Sequence, residues 1–387
     1  MKTYNSLFEK IIAWDNLLLA AKNASKGKRF DNSTAKFCFR LESELFKLQH
    51  ELRTKTYRPG AYTTFMIYDP KERMISAAPF RDRVVHHALC NVIEPVFEKT
   101  FIHDSYANRK GKGTHKAIER YQHYARRYRY VLKCDIKKFF PSLDHAILKQ
   151  EIRWKIACPD TLWLIDLIID NSNPQEEHIA YFAGDDLFTP HTRRRGLPIG
   201  NLTSQFWANV YLNRFDHFVK EELGAAGYVR YVDDFVLFSD DKIQLAEYKQ
   251  AITERLADLR LLPHPNKTHI HKVEKGVPFL GFRVCPAWRI VRKENVRRYR
   301  RFCAQKIVRW KERRVLPEQI ESGLNSWLGH VRFGQCKRLE YNVFWQIRGA
   351  AVNVLQHPRG SWRVLERQLL WNFLQIFSLE LSTLSTV

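Results

Sequence analysis

The sequence predicts an α+β fold, a central antiparallel sheet backed by helices. Three observations point to it. Apolar residues recur at helical spacing over long stretches, two short segments are rich in β-branched and aromatic residues, and the order of elements runs strand, helix, helix, hairpin, helix, strand. The chain has 387 residues, 45% hydrophobic and 27% charged. That length allows two or three domains, each with its own core, and that balance argues against wholesale disorder.

The elements follow in order. The first 30 residues carry acids inside their apolar stretch and no small-residue cleavage site, so they read as an amphipathic helix and not as a signal peptide. From Ser33, the residues Phe37, Leu41, Leu45, Leu48 and Leu52 mark a helical face that Pro59 and Gly60 close. Asp69-Pro70 marks a turn. Arg83 to Phe97 reads as a helix with Val84, Ala88, Val92 and Val96 on one face. Ser105 to Thr114 is a basic, glycine-bearing loop entering a helix from Thr114 to Arg126. A strand from Tyr130 to Ile136 precedes a helix from Ser142 to Ile156, whose start Ser142 and Asp144 signal. Pro174 to Pro190 is polar and turn-rich. Leu202 to Leu223 is helical by pattern, with Phe206, Val210 and Phe218 on one face, and Tyr228 to Phe238 is a hairpin interrupted by two adjacent carboxylates. A helix from Lys242 to Leu261 and a short strand from Phe279 to Val284 follow. Beyond Pro286 the pattern is wholly helical. Trp327, Trp345, Trp362 and Trp371 read as core residues there, and the stretch from Leu369, interrupted by Glu380, reads as a packed terminal helix and not a membrane span.

Charge is the anomaly. The 64 Lys and Arg against 41 Asp and Glu leave +23. Such an excess costs self-repulsion, and a polyanionic partner such as nucleic acid explains it. The densest run, Arg289 to Arg314, has twelve Lys or Arg and two Glu, interleaved with Tyr299, Phe302 and Trp310. Such a helix can track a phosphate backbone while its aromatics pack inward. The seven cysteines are widely spaced with no C-x-x-C pair, which speaks against a disulfide framework or zinc knuckle and for a reducing, cytoplasmic setting. His264, His269 and His271 lack a cysteine at ligand spacing and read as surface or nucleic-acid-facing residues.

Chemistry concentrates in three acids. Asp233 and Asp234 stand where an apolar hairpin should carry hydrophobics, and two neighbouring carboxylates repel one another. Asp135 ends an apolar strand, where an unpaired acid is costly to bury. A divalent cation resolves both conflicts, and Mg²⁺ favours a few carboxylates with phosphate and water. If the two strands are neighbours, the three carboxylates converge as two-metal phosphoryl transfer requires, one ion at an attacking 3′ hydroxyl and one at a leaving pyrophosphate.

The ordered blocks around these acids resemble a reverse transcriptase over nearly the whole chain. YRPG from Tyr57, PFRDRVVHHAL from Pro79 and SYANRKGKGTHKAI from Ser105 resemble fingers blocks. DIKKFFPSLDH from Asp135 and YVDD from Tyr231 resemble the catalytic palm blocks, GLPIGNLTSQFWANVYLN from Gly196 the nucleotide-binding block, and PNKT and FLGF the later palm and primer-grip blocks. The resemblance implies a right-hand polymerase fold: an N-terminal helical extension over 1–54, fingers over 55–130, a palm over 131–285 with an insertion at about 157–192, and a basic helical thumb over 286–387. It implies Asp135, Asp233, Asp234 and the Ile136 carbonyl as ligands of two Mg²⁺ ions, with dNTPs as substrates. It places Arg73 and Arg81 on the incoming triphosphate, Lys267 near it, and Phe140 under the sugar, where a rigid ring rejects a 2′ hydroxyl. Candidate nucleic-acid contacts are Arg109, Lys110 and Lys112 in the basic loop and Arg297, Arg298 and Arg301 in the thumb.

One departure narrows the resemblance. Many reverse transcriptases have Gln-Gly in the nucleotide-binding block. Here Ile199-Gly200 is followed by Ser204-Gln205, which resembles the enzymes of diversity-generating retroelements. An aliphatic side chain in place of a hydrogen-bonding one leaves shape alone to select the base, and shape alone discriminates weakly. The resemblance therefore implies error-prone copying of a template-repeat RNA, with misincorporation opposite adenines. It also implies a small, basic, oligomeric accessory protein, and a cytoplasmic enzyme of bacterial, archaeal or phage origin. The alternative is a reverse transcriptase of a retron, phage-defence or group II intron-related system.

Overall fold

The computed structural model describes residues 3–339, apart from 29–30, 69–70, 177, 313, 315–316 and 337–338. The Asp69-Pro70 turn, the three tryptophans Trp345, Trp362 and Trp371, and the terminal helix from Leu369 lie outside the described residues. The chain divides into two compact units, Met1–Val273 and Glu274–Val387. Among the described residues, no helix is long and apolar enough to cross a membrane.

The first unit is built on a four-stranded sheet. Strands β1 (Thr63–Ile67) and β2 (Arg73–Ala77) form a separate antiparallel hairpin. The sheet itself comprises β3 (Tyr130–Asp135), β4 (Gly227–Tyr231), β5 (Asp234–Ser239) and β6 (His269–Lys272), in the order β4-β5-β3-β6 with every neighbour antiparallel. Phe235 to Ser239 are all buried, as in a strand covered on both faces, where a continuous apolar run replaces alternation. Helices Thr114–Ala125 and Lys242–Asp258 pack against the sheet, helices Phe8–Ile12, Trp14–Ala24 and Asn32–Phe39 pack against the long helix Phe80–Glu98, and Leu41–Arg53 packs on those three. One contiguous apolar core joins the N-terminal helices, Phe80–Glu98 and Lys242–Asp258 to β3 and β5.

Several boundaries differ from the pattern reading, each for a local reason. The apolar face from Phe37 to Leu52 breaks at Arg40 into helices Asn32–Phe39 and Leu41–Arg53, because Arg40 leaves the helical region at φ −114, ψ 33. The helix expected from Ser142 starts at His145, where the Asp144 side chain accepts the backbone N–H groups of Ala146 and Ile147 and caps it. The single helix expected over Leu202 to Leu223 is three pieces: Leu202–Tyr211, Asn213–His217 and a π-helical turn at Phe218–Glu222. The segment from Phe279 to Val284 is not a strand of the central sheet. It holds the tight turn of a second sheet, β7 (Val277–Phe279), β8 (Phe282–Val284) and β9 (Arg289–Val291), which lies in the second unit and interrupts the region expected to be wholly helical. The fourth central strand is instead β6, a short polar edge strand whose His-Ile-His-Lys sequence gives little pattern to read.

In the second unit, helices Lys293–Lys311 and Pro317–Phe333 follow β9. Val296, Tyr299 and Cys303 are buried on one face of the first, and Tyr299 stacks on Trp327 with ring centroids 4.0 Å apart. Arg297 and Arg301 are exposed and Arg298 is half-buried, so cations cover the face that the apolar residues leave.

Candidate active site

Strand pairing brings the three acids together. Asp135, the last residue of β3, is the register partner of Asp234, the first residue of β5, and Asp234 in turn pairs with Tyr231, the last residue of β4. Val232 and Asp233 are therefore a two-residue hairpin turn. Val232 has φ 57, in the left-handed region that a β-branched residue rarely enters. That conformation costs on the order of 1–3 kcal/mol and persists only where the surroundings enforce it. Backbone bonds fix the acids before any side chain acts: the Ile136 N–H donates to the Asp233 carbonyl at 3.2 Å, and the His264 N–H to the Asp135 carbonyl at 2.7 Å.

The electrostatics are those of a crowded acid site. Burial pushes the Asp234 carboxyl up to about 7, with Lys133 opposing and Asp233 and Asp135 adding to the rise. Burial also raises Asp233, followed by repulsion from Asp135, against the cations of Lys267 and Arg73. The Lys267 ammonium donates to Asp135 Oδ1 at 2.6 Å, and Lys133 Nζ lies 3.8 Å from Asp234 Oδ2. Asp234 Oδ1 is buried with no hydrogen-bond partner. As the side chains stand, no three His, Cys, Asp or Glu residues among the described residues form an ion-holding cluster. The two lysines instead sit against the carboxylate oxygens. Hard oxygen donors, one of them unpartnered, crowded so that burial and mutual repulsion raise the pKa of Asp233 and Asp234, fit a small divalent cation that would take the place of those ammonium groups.

The block from Gly196, expected from the sequence to bind nucleotide, lies against the β1–β2 hairpin. The Ser76 N–H donates to the Ile199 carbonyl at 2.9 Å. Buried Asn201 spans the same junction: its Nδ2 donates to the Ser76 carbonyl at 3.0 Å and its Oδ1 accepts the Ala78 N–H at 3.3 Å. Gly200 has φ 114, and a Cβ there would come within 3.0 Å of Ile75 Cγ2, so the close approach of the two segments needs glycine. The Leu197 N–H donates to the Phe140 carbonyl at 3.0 Å, which sets half-buried Phe140 beside the block. Gln205 is exposed on helix Leu202–Tyr211. Arg73 is exposed at the start of β2, and its charge reaches Asp233.

Other predicted cations are engaged within the protein. Arg81 pairs with Glu51, and its guanidinium lies 5.2 Å from the Tyr57 ring centroid. The Arg109 side chain is only 6% exposed and is held by the Glu98 carboxylate and by the carbonyls of Ile102 and Ser105, so it braces the basic loop. Lys110 is exposed. Lys112 donates to the His103 carbonyl at 2.8 Å and lies over the Tyr106 ring. Lys112 also lines a hollow of about 440 Å³ with Lys116, Arg120 and His123. Sequence reasoning missed Asn201 and Arg230. The available signal for Arg230 was a lone cation inside the apolar strand YVRYV.

The family described as reverse transcriptase (RNA-dependent DNA polymerase) matches residues 68–284, more than half of the chain and all three acids. The chain belongs to the reverse transcriptase family. It is an RNA-directed DNA polymerase of the right-hand fold, and the four-stranded sheet is the core of its palm. This reverse transcriptase is 26% identical over 287 residues to protein YkfC of Escherichia coli, covering 63% of this chain and 72% of that one. It is 24% identical over 213 residues to the group II intron-encoded protein LtrA of Lactococcus lactis, spanning 54% of this chain and 33% of the relative. A telomerase structure from Candida albicans, solved with a fragment of telomeric RNA, superposes with a TM-score of 0.43 at 11% identity, over 82% of this chain and 57% of that one. The chain thus spans a third of the length of LtrA.

Proposed function

We propose that the reverse transcriptase extends a DNA primer on an RNA template with Asp135, Asp233 and Asp234, assisted by the Ile136 carbonyl, as the ligands of two Mg²⁺ ions. The observation that carries this reading is the register of Asp135 opposite Asp234 across β3 and β5, beside the Val232–Asp233 turn. When bound, the ions supply charge neutralisation at the attacking 3′ hydroxyl and the leaving pyrophosphate. The residues of this chain do the rest. Lys267 and Arg73 face the acids with positive charge and meet the triphosphate, and Arg81 joins them when it leaves Glu51. Phe140 excludes a 2′ hydroxyl by contact with the sugar. Lys110, Lys112, Arg297, Arg298 and Arg301 meet nucleic-acid phosphates. The division into extension, fingers, palm and thumb at 54, 130 and 285 belongs to the same proposal.

The test is primer extension with the full chain, Mg²⁺, dNTPs and an RNA template. Asp233→Ala should abolish extension while leaving primer–template binding in place; extension at the parent rate by that variant overturns the assignment.

The run Ile199-Gly200-Asn201-Leu202-Thr203-Ser204-Gln205 supports a narrower role. In that role the enzyme copies a template-repeat RNA into adenine-mutagenised cDNA for a diversity-generating retroelement, in the cytoplasm and with an oligomeric accessory protein. Half-buried Ile199 gives its carbonyl to Ser76 and offers no side-chain hydrogen bond to a nucleotide. Ile199→Gln should lower misincorporation opposite template adenine severalfold, and an unchanged error spectrum removes this account of Ile199. The similarity to LtrA favours a second reading, a group II intron-related enzyme, for which the parent chain should copy adenines faithfully.

A further inference from the structure

We infer that Arg230 is a positioning residue of the polymerase: from inside the protein, its guanidinium holds the strained Val232–Asp233 turn through the Val232 carbonyl. The inference rests on the reading that Asp233 and Asp234 carry the chemistry.

Arg230 lies on β4, one residue before Tyr231, and its side chain has no exposed surface. A buried guanidinium needs its charge and donors satisfied, and here they are met by a specific set of partners. Nε donates to Asp216 Oδ1 at 2.7 Å and Nη2 to Asp216 Oδ2 at 2.6 Å, a paired contact with a carboxylate that is itself fully buried. The Tyr228 hydroxyl donates to the same carboxylate at 2.7 Å. Nη1 donates to Asn209 Oδ1 at 3.2 Å and to the Val232 carbonyl at 3.1 Å.

That last contact distinguishes positioning from bulk stability. A buried ion pair contributes little net stability over an apolar pair of equal volume. An apolar pair, however, has no donor for the Val232 carbonyl, and Val232 is the residue whose left-handed backbone must be enforced from outside. The backbone that carries the guanidinium and its Asn209 partner are themselves fixed. The Arg230 N–H donates to the Asp104 carbonyl and its own carbonyl accepts the Tyr106 N–H, both at 2.9 Å, while Asn209 Nδ2 donates to the Ala107 carbonyl at 2.8 Å. The turn is thereby tied to the loop from Asp104 and to helices Leu202–Tyr211 and Asn213–His217. A lysine keeps the charge opposite Asp216, but a single ammonium lacks the fork that reaches Asp216, Asn209 and Val232 together.

The test is pre-steady-state single-nucleotide addition by the full chain, in which burst amplitude counts competent enzyme and burst rate reads the geometry of the acids. Arg230→Lys should retain most of the amplitude and its primer–template affinity while its burst rate falls on the order of 100-fold, the scale of a small misplacement of reacting groups. Val232→Asn relieves the backbone strain, since asparagine tolerates the left-handed region, so Arg230→Lys should cost at least fivefold less rate in that background. If Arg230→Lys does not accumulate as folded protein, Arg230→Met combined with Asp216→Leu removes both charges, keeps the volume and lacks the donor, and it should show the same slow burst. A normal burst rate with reduced amplitude, or equal rate losses with Val232 and with Asn at that position, overturns the inference. Failure of the underlying reading is separate: it appears as extension by Asp233→Ala, whatever the Arg230 variants do.

Discussion

Asp135 and Asp234, far apart in sequence, stand directly opposite each other at the ends of two antiparallel strands. Like charges directly opposite across a sheet are destabilising, so this pairing weakens the fold. The molecule offsets it with cations: Lys267 on Asp135 at 2.6 Å and Lys133 at 3.8 Å from Asp234. An arrangement that opposes stability and concentrates positive charge around acids is what a site for metal-bound polyphosphate needs.

On the proposed metal assignment, Lys267, which donates to Asp135 Oδ1, and a divalent ion would compete for that oxygen. Lys267→Met should therefore lower the Mg²⁺ concentration for half-maximal extension severalfold, while the KM for dNTP rises because a cation for the triphosphate is lost. Mg²⁺ and dNTP titrations of the variant check both effects, and an unchanged metal requirement contradicts the competition.

The raised pKa of Asp234 contributes to the pH dependence of metal-free stability. Its folded value of about 7 lies above the ordinary 3.8, so between those pH values the folded protein holds a proton that the unfolded chain has released. The stabilisation is complete below about pH 4 and is lost as pH rises through about 7. In chelator-treated protein the Tm should fall across that window. Asp234→Asn should flatten the fall and stabilise the metal-free protein at pH 7.5, by roughly 1–3 kcal/mol. The residual slope belongs to the other groups that burial shifts, Asp233, Asp82, Glu94 and Glu151 among the carboxyls.

Asn201 ties the block from Gly196 to β2 and the residue after it through two bonds to backbone. Asn201→Ala leaves the Ser76 carbonyl and the Ala78 N–H without those partners, at a cost of about 1–3 kcal/mol by chemical denaturation. Because Arg73 lies on the same strand, KM for dNTP should rise more than primer–template Kd, a difference that steady-state kinetics and a binding titration read together.

Neighbouring cations of the basic loop should behave oppositely. Arg109→Ala breaks the contacts to Glu98, Ile102 and Ser105 and should lower Tm by several degrees with no change in the salt dependence of RNA binding. Lys110→Ala should leave Tm alone and reduce the slope of log K against log salt by about one.

The sequence made the acids legible because each one breaks an apolar pattern: Asp135 at the end of VLKC, Asp233 and Asp234 within YVDDFVLF. The central strands β3, β4 and β5 were readable for the same reason, as apolar runs covered on both faces. The β1–β2 hairpin escaped because all five residues of β1 are exposed, so no buried face imposes a period on the sequence. The edge strand β6 escaped because its pairing is set by β3, not by its own polar residues. Arg109 carried the same formal charge as Lys110 in the sequence, and only the position of Glu98 separates a brace from an exposed cation. Arg230 and Asn201 depend on partners 14 and 125 positions away, Asp216 and Ser76, which no local pattern announces.

We propose that Asp135 and Asp234 jointly hold divalent ions at the primer end. Anomalous scattering from crystals of the enzyme with primer, RNA template, dNTP and Mn²⁺ tests it most directly. Two manganese peaks bridged by the carboxylates of Asp135 and Asp234 are predicted, and both should vanish in Asp234→Asn crystals. Manganese bound elsewhere, with Asp135 still held by Lys267 in the complete complex, contradicts the account.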